Sequence, residues 1–401
     1  MNRTRRSLTG WRGGKVTVEG EAAVGQLLEE ALGSLGGERQ REEWTHGFHS
    51  YPARFPPQLV RRLLAGTPGH AVLDPFVGSG TTLIEAAAAG RAGWGSDINP
   101  LAVELSRLKA TVWPPERRAA LCRAATEVAQ RVLDEVRVAR RASSPKLRPS
   151  PATRYDDPRH YPPHVFRELV ALRQAIDALA EEWTRWALRL VLSAIVVKAS
   201  AIGATAEGKP VERQIARGAP SRWFAAKALE LGEQMNQYAR QVPRGTPGPR
   251  IELCDARRLG YVADATIDLA ITSPPYLGTY DYAQHHVHRF GWVGLDAQPL
   301  LRGQIGTRNA ATPQQWGHDV RAFVGELARV LRPGGWIYFL VGDSAIGQRA
   351  FRGDVELRRA AGTARLPVVA IASQIRPDVF APTRGRLADG RREYLVAVQK
   401  R

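Results

Sequence analysis

Apolar positions along this chain follow two rhythms. Short apolar runs stand at Ala71-Val-Leu73, near Ala92 to Ser96, at Ile267 to Ile271 and at Trp336 to Val341, and sheet pattern also stands at Arg250 to Cys254. Runs of this length without strict alternation predict strands buried on both faces, as in a parallel sheet. The first enters a turn at Asp74, and Thr81 to Ala89 then reads as a helix that Gly90 ends. The second delivers Asp97-Ile-Asn-Pro100, where Pro100 suits the first turn of another helix. Strand, helix and strand in that order begin an open parallel sheet. Further on, His318 to Leu331 reads as a helix stopped by Pro333-Gly334-Gly335. Val368 to Ala372 and Tyr394 to Val398 read as closing strands joined by a charged hairpin.

Residues 113–248 break this alternation with a helical rhythm. Its segments run from Glu116 to Arg141, His164 to Ala180, Trp183 to Ser200 and Ser221 to Arg240. A Pro/Ser/Arg-rich connector, Ala142 to Arg154, separates the first from the rest, and a Gly/Pro-rich linker, Pro243 to Pro249, closes the region. The pattern divides the chain into a basic, partly disordered arm (1–43), half of a sheet domain (44–112), a helical insert (113–248) and the other half (249–401).

Charge adds a partner to this picture. The 401 residues carry 57 Lys plus Arg against 39 Asp plus Glu, a net charge of +18. Such an excess attracts a polyanion, nucleic acid being the usual one. With only seven lysines the chain is also Arg-biased, but that bias does not explain why acids fail to balance bases. The N-terminus is basic and polar without a following apolar stretch, which is not a secretory signal. The most apolar stretch, Ala187 to Ala201, is interrupted by Arg189 and Lys198 and is too short for a bilayer. The expectation is a soluble, cytoplasmic protein. Cys122 and Cys254 are too few for a disulfide framework or a cysteine-based zinc site.

Two motifs carry the chemistry. Asp74-Pro-Phe-Val-Gly-Ser-Gly-Thr-Thr82 is a glycine-rich turn after an apolar run, and Thr272-Ser-Pro-Pro-Tyr276 is a rigid, aromatic-ended turn after another. Gly78 and Gly80 let the backbone turn sharply and let amides approach a ligand closely. Together the motifs resemble the cofactor loop and catalytic loop of S-adenosylmethionine-dependent DNA amino-methyltransferases. The resemblance spans residues 44–112 and 249–401. It implies an α/β fold: an open, mostly parallel, seven-stranded Rossmann-like methyltransferase sheet, here with a large helical insert.

By that resemblance Asp74, Pro75, Phe76, Gly78, Ser79, Gly80, Thr81 and Thr82 face the methionine part of S-adenosyl-L-methionine. Asp97, beside Ile98, accepts the ribose hydroxyls, or else caps the helix after Pro100. Asp255, beside Ala256, accepts the adenine amine. Tyr51-Pro52-Ala53, in His46 to Pro57, closes over the methionine end, or else staples a Pro-started helix.

In the catalytic loop the Ser273 hydroxyl and Pro274 carbonyl accept from an exocyclic amine, localising its lone pair. Pro274 and Pro275 fix φ, and Tyr276 stacks on a base that has left the duplex. Ser273 also borders the cofactor. Serine at the first position resembles cytosine-N4 enzymes before adenine-N6 ones. Both cysteines follow leucine, whereas attack on cytosine C5 uses a Pro-Cys thiolate, so that chemistry is excluded.

Tyr280, Tyr282, His285, Arg302 and Arg308 are candidate DNA contacts, and target reading is expected in the insert with the loop after Tyr282. His285, His286 and His288 invite a metal, but no nearby cysteine or well-placed acid completes a set, so none is expected. The implied partner is duplex DNA, with a cognate restriction endonuclease or as an orphan enzyme on the nucleoid. An RNA base amino-methyltransferase and a catalytically dead nucleic-acid-binding protein are the other classes. The first would carry an RNA-binding appendage, and intact Gly78, Gly80, Ser273 and Tyr276 argue against the second.

Overall fold

A computed structural model describes residues 14–34, 43–141, 155–201, 214–279, 281–307, 312–346, 349–376 and 390–401. Strand β1 (Val16–Gly20) and helices α1 (Ala22–Gly33) and α2 (Pro57–Gly66) come first. The expected alternation follows as β2 (Ala71–Asp74), α3 (Thr81–Ala88), β3 (Ala92–Asp97) and α4 (Pro100–Ala110). The helical region holds α5 (Pro115–Arg141), α6 (Pro163–Asp177), α7 (Glu182–Ala199) and α8 (Ala219–Gln241). Strands resume with β4 (Arg250–Leu253) and β5 (Ile267–Thr272). Helices α9 (Tyr282–Val293), α10 (Gln298–Gly303) and α11 (Pro313–Val330) then lead to β6 (Leu331–Gly342). A small hairpin, β7 (Ser344–Ile346) and β8 (Arg349–Phe351), precedes α12 (Gly353–Thr363), β9 (Val368–Arg376) and β10 (Arg391–Gln399).

The sheet has eight strands in the order β1-β9-β10-β6-β5-β2-β3-β4. From β4 to β6 every pairing is parallel, and β10, β9 and β1 continue it antiparallel. The chain winds outward from β2 to β4, then returns to β5 on the other side of β2. That reversal places a crevice at the C-terminal ends of β2 and β5, where open α/β sheets bind ligands. Both sequence motifs leave the sheet at this point.

Three expectations are corrected. The sheet has eight strands, not seven, because β1 pairs antiparallel with β9 from Val16↔Gln374 to Gly20↔Ala370. Within the arm expected to be partly disordered, residues 16–33 form a strand and a helix. Most of β1 is exposed, as an edge strand is, so no burial pattern announced it. Finally, β6 begins at Leu331 rather than Trp336: its pairing with β5 shifts register after Ile267↔Leu331, and Arg332, Pro333 and Gly334 stand exposed there.

Helices cover both sheet faces. Leu28 and Leu32 of α1 with Leu59 and Leu63 of α2 pack on Leu269, Ile271, Tyr338 and Leu340. On the other face Phe323, Val324 and Leu327 of α11 with Leu357 of α12 pack on Ala270, Ile337 and Phe339. Helices α5 to α8 build a separate core that takes in Leu101 and Leu105 of α4 and Phe290, Trp292 and Val293 of α9. The insert is thus a helical body fused to the cleft wall.

Because Leu32 is fully buried against the sheet, Leu32→Ala is expected to cost about 2–5 kcal/mol, the range for truncating a core leucine. Urea denaturation checks this, and an unchanged midpoint would return residues 16–33 to a dispensable arm.

Candidate functional site

Asp74 ends β2 and is buried at 3% exposure. Its Oδ1 accepts from the Thr272 hydroxyl at 2.7 Å and the Phe76 amide at 3.1 Å, and its Oδ2 accepts from the Thr82 hydroxyl at 2.7 Å. One carboxylate therefore fastens the glycine-rich turn to the last residue of β5. Burial pushes the Asp74 pKa up to about 6, against the opposing pull of these three donors.

Two glycines shape the turn. Gly78 and Gly80 have φ of +49° and +86°, in the left-handed region that favours glycine. A Cβ on Gly80 would sit 3.1 Å from Ser106 Cα, so α4 presses directly on the loop. From that helix Ser106 Oγ donates to the Gly78 carbonyl at 3.0 Å, and buried Lys109 Nζ donates to the Ser79 carbonyl at 2.6 Å. Neither residue was singled out from the sequence, since nothing about a lysine in a helix pattern announces that its ammonium points inward.

Asp97 ends β3 across the crevice. Its Oδ2 accepts from the Gly78 amide at 3.0 Å and its Oδ1 from the Asn99 amide at 2.9 Å. The helix cap is Asn99, whose side chain accepts from the Leu101 amide, so the capping alternative for Asp97 falls to its neighbour. Burial pushes Asp97 up to about 6 as well, against hydrogen bonds from Asn99 and Gly78. Asn99 Nδ2 also donates to Tyr51 Oη at 3.3 Å. Tyr51 thereby touches the loop from the segment before α2, and Ala53 beside it holds a strained φ of +50°. His46 and Arg61 share the buried Glu85 of α3 and anchor this segment.

Asp255 follows β4, but its carboxylate is gripped by Arg257, with contacts of 2.6 to 3.1 Å. Arg257 in turn reaches Asp319 at 2.8 Å. The acid remains at the cleft, with an intramolecular partner that sequence reading did not supply.

The Ser273–Tyr276 turn is braced from behind. Trp316 Nε1 of α11 donates to the Pro275 carbonyl at 3.2 Å, and Tyr276 Oη donates to Glu393 at 3.0 Å. Gly342 gives the Tyr276 ring its room, since a Cβ there would lie 2.9 Å from Cε2.

These parts border one cleft. Its lining unites Tyr51, Pro52, Ala53, Asp74, Pro75, Phe76, Gly78, Ser79, Thr81, Asp97, Ile98, Asp255, Ala256, Ser273, Pro275 and Tyr282. Gly80 and Thr82 stand behind the loop as supports. Pro274 and Tyr276 belong to the bordering turn without lining the cleft. His285 and Arg302 are exposed on α9 and α10, while Tyr280 and Arg308 lie outside the described residues. Leu300, Gly303, Gln304 and Ile305 also line the cleft, though no motif marked them.

Cys122 and Cys254 are not among the lining residues, and burial pushes both thiols up. Nor is the histidine group without an acid: Asp156, far away in sequence, lies 3.1 Å from His288.

Comparison with known proteins places the first half of this cleft. Residues 29–107 match the family model described as DNA methylase, a stretch that holds Asp74–Thr82 and Asp97 but not Ser273–Tyr276. The type II methyltransferase M.MvaI of Kocuria varians is 40% identical over 81 residues, 19% of this chain and 18% of that protein. M.MjaII of Methanocaldococcus jannaschii is 36% identical over 94 residues, 23% and 18% of the two chains. The chain thus spans under a fifth of the length of these relatives.

Among solved structures, an S-adenosylmethionine-dependent methyltransferase from Methanosarcina mazei superposes with a TM-score of 0.33 at 10% identity, over 84% of this chain and 96% of that one. An rRNA methyltransferase from Streptomyces viridochromogenes gives 0.32 at 16% identity, over 88% of each chain. Scores this low carry no argument about substrate. Among the described residues no helix is long and apolar enough to cross a membrane.

The Asp74 lock has a measurable signature. Its folded pKa of about 6 lies above the ordinary 3.8, so its contribution to stability is full below about 3.8 and is lost as pH rises to about 6. The stability difference between wild type and Asp74→Asn is therefore expected to shift towards the variant over that window, as read by urea midpoints. A pH-independent difference would remove the assignment.

Proposed function

We propose, from the membership of residues 29–107 in the DNA methylase family, that this chain is an S-adenosylmethionine-dependent DNA amino-methyltransferase with cytosine N4 as its target. The observation that carries the proposal is the junction at Asp74. Through it the glycine-rich turn and the Ser-Pro-Pro-Tyr turn, nearly two hundred residues apart, border one cleft.

The residues present fit the cofactor. Asp97 offers lone pairs beyond those its two amide donors occupy, enough for ribose hydroxyls. The left-handed turn at Gly78 and the aromatic edge of Tyr51 border the region for the methionine end. Asp255, held by Arg257, borders the cleft where an adenine amine would lie. When bound, S-adenosylmethionine supplies a methyl group on a positively charged sulfur, already activated for transfer.

The chain's own work is to position and polarise the base. Ser273 Oγ and the Pro274 carbonyl accept from the two N–H groups of an exocyclic amine, which localises the nitrogen lone pair. The rigid backbone of two prolines and the Trp316 brace keep those acceptors in place, so that little reorganisation remains at the moment of reaction. Tyr276, its hydroxyl tied to Glu393, offers a ring for an extruded base to stack on. The net charge of +18 favours duplex DNA as the polyanion. Type II relatives support a restriction–modification role, and a cytoplasmic location follows from that substrate.

Two experiments test this reading. Ser273→Ala removes one of two acceptors: activity is expected to fall on the order of 10²-fold, as for one positioned polar group at a reacting centre, while calorimetry shows cofactor affinity retained. Mass spectrometry of digested product DNA is expected to give N4-methylcytosine. N6-methyladenine alone would overturn the base assignment, a carbon-methylated base the mechanism, and preferential methylation of RNA the substrate.

The second follows from Asp97, which accepts well only when ionised. With its pKa at about 6, S-adenosylmethionine affinity is expected to strengthen as pH rises through about 6. Isothermal titration across that range checks it, and Asp97→Asn should flatten the profile. An identical pH profile in the variant would remove Asp97 from cofactor recognition.

A further inference from the structure

Away from the cleft, the segment entering α6 and the outer side of α9 bring together two histidines and an acid. Asp156 and His160 flank a 3-10 turn (Pro158–His160) that Asp157 caps, and His288 projects from α9. Nδ1 of His160 donates to Asp156 Oδ1 at 3.2 Å, and Nδ1 of His288 to Asp156 Oδ2 at 3.1 Å. One donor atom from each of the three residues lies within 4.8 Å of the others.

A tetrahedral ion with bonds of about 2.0 Å needs ligand atoms separated by about 3.3 Å, and two of the three separations already match. The third separation, between the two imidazole nitrogens, lies within 4.8 Å, so a small rotation of the rings brings the three donors onto one ion as the two Nδ1 protons pass to solvent.

The surroundings fit a ligand set as well. Tyr161 Oη donates to Asp156 Oδ2 at 2.7 Å, and Trp292 Nε1 donates to Tyr161 Oη at 3.1 Å. The Asp157 amide holds Oδ1 at 2.8 Å. Such outer hydrogen bonds fix a carboxylate ligand's direction. The acid's side chain is only 8% exposed, whereas His160 and His288 are 25% and 22% exposed. An ion could therefore enter from solvent and keep a position for water.

We propose that Asp156, His160 and His288 form a binding site for one divalent first-row transition ion, zinc first among them, which clasps the helical insert to the helix after the catalytic turn. Two imidazoles and one carboxylate suit zinc, cobalt or nickel rather than magnesium or calcium. Its position outside the cleft makes it structural, and it stands whether or not the proposed methyl transfer is correct.

The test uses tag-free, full-length protein stripped with chelator and titrated with Co²⁺ alone. One Co²⁺ per chain is expected, with visible d–d absorption that Zn²⁺ abolishes, and a higher melting temperature with metal. Asp156→Asn and His288→Ala are expected to lose the absorption and the thermal shift. His318→Ala, at a histidine 73% exposed elsewhere on the surface, should keep both. Tyr161→Phe should weaken binding about 10–100-fold. If His288→Ala does not fold, His160→Ala makes the same test from the more exposed ring. No stoichiometric uptake by the wild type, or equal uptake by folded Asp156→Asn, would overturn the site.

Discussion

The arrangement of the cleft depends on one buried carboxylate. Asp74 sits where two adjacent parallel strands end, and three donors, from the glycine-rich turn, the start of α3 and the last residue of β5, meet on its oxygens. Burying such a group is costly unless its lone pairs are satisfied. Here satisfying them requires β2, β5 and the start of α3 to hold one mutual position. The lock is directional where hydrophobic packing is not: Val72 and Leu269 bring the strands together, but the Thr272–Asp74 bond sets how the two turns face each other. Its threonine lies one residue before the motif that carries the proposed chemistry, which makes Thr272 a positioning residue.

A second tier extends this order outward. Gly78, Asp97, Asn99 and Tyr51 form one continuous hydrogen-bonded path around the cleft. Each carboxylate oxygen in that path has lone pairs left over, so a ligand adds bonds instead of displacing the ones that shape the site. Binding then carries little ordering cost, the benefit of preorganisation. The raised pKa of Asp97, about 6, follows from its burial at the end of β3, against the pull of its amide donors.

Much of this was legible in the chain because it depends on local rules. Continuous apolar runs marked β2 and β5, prolines marked the starts of α4, α5 and α6, and the two motif turns read directly as loops after strands. What could not be read depended on partners distant in sequence. Strand β1 is a sheet edge with little burial to betray it. Helix α9 hides its inward face because His286 and Arg289 take buried positions that apolar residues would usually hold. The two acceptors of Asp74 find donors on both sides of the cleft, Arg257 acquires Asp319, and His288 acquires Asp156. No spacing rule links such pairs.

The insert is tied to the cleft wall by close packing. Its core includes Phe290 and Trp292 of α9 and Leu300 of α10, and Leu300 also lines the cleft. At the same seam Gly291 meets the Tyr155 backbone so closely that a Cβ would fall 1.9 Å from its carbonyl oxygen. Arg173 of α6 donates to the Gly291 and Trp292 carbonyls near the end of α9, a favourable place for a cation. A close-packed contact of this kind does not slide freely. A displacement of the insert would therefore pass through α9 to α10, whose Gly303 lies against Ile98 of the cleft.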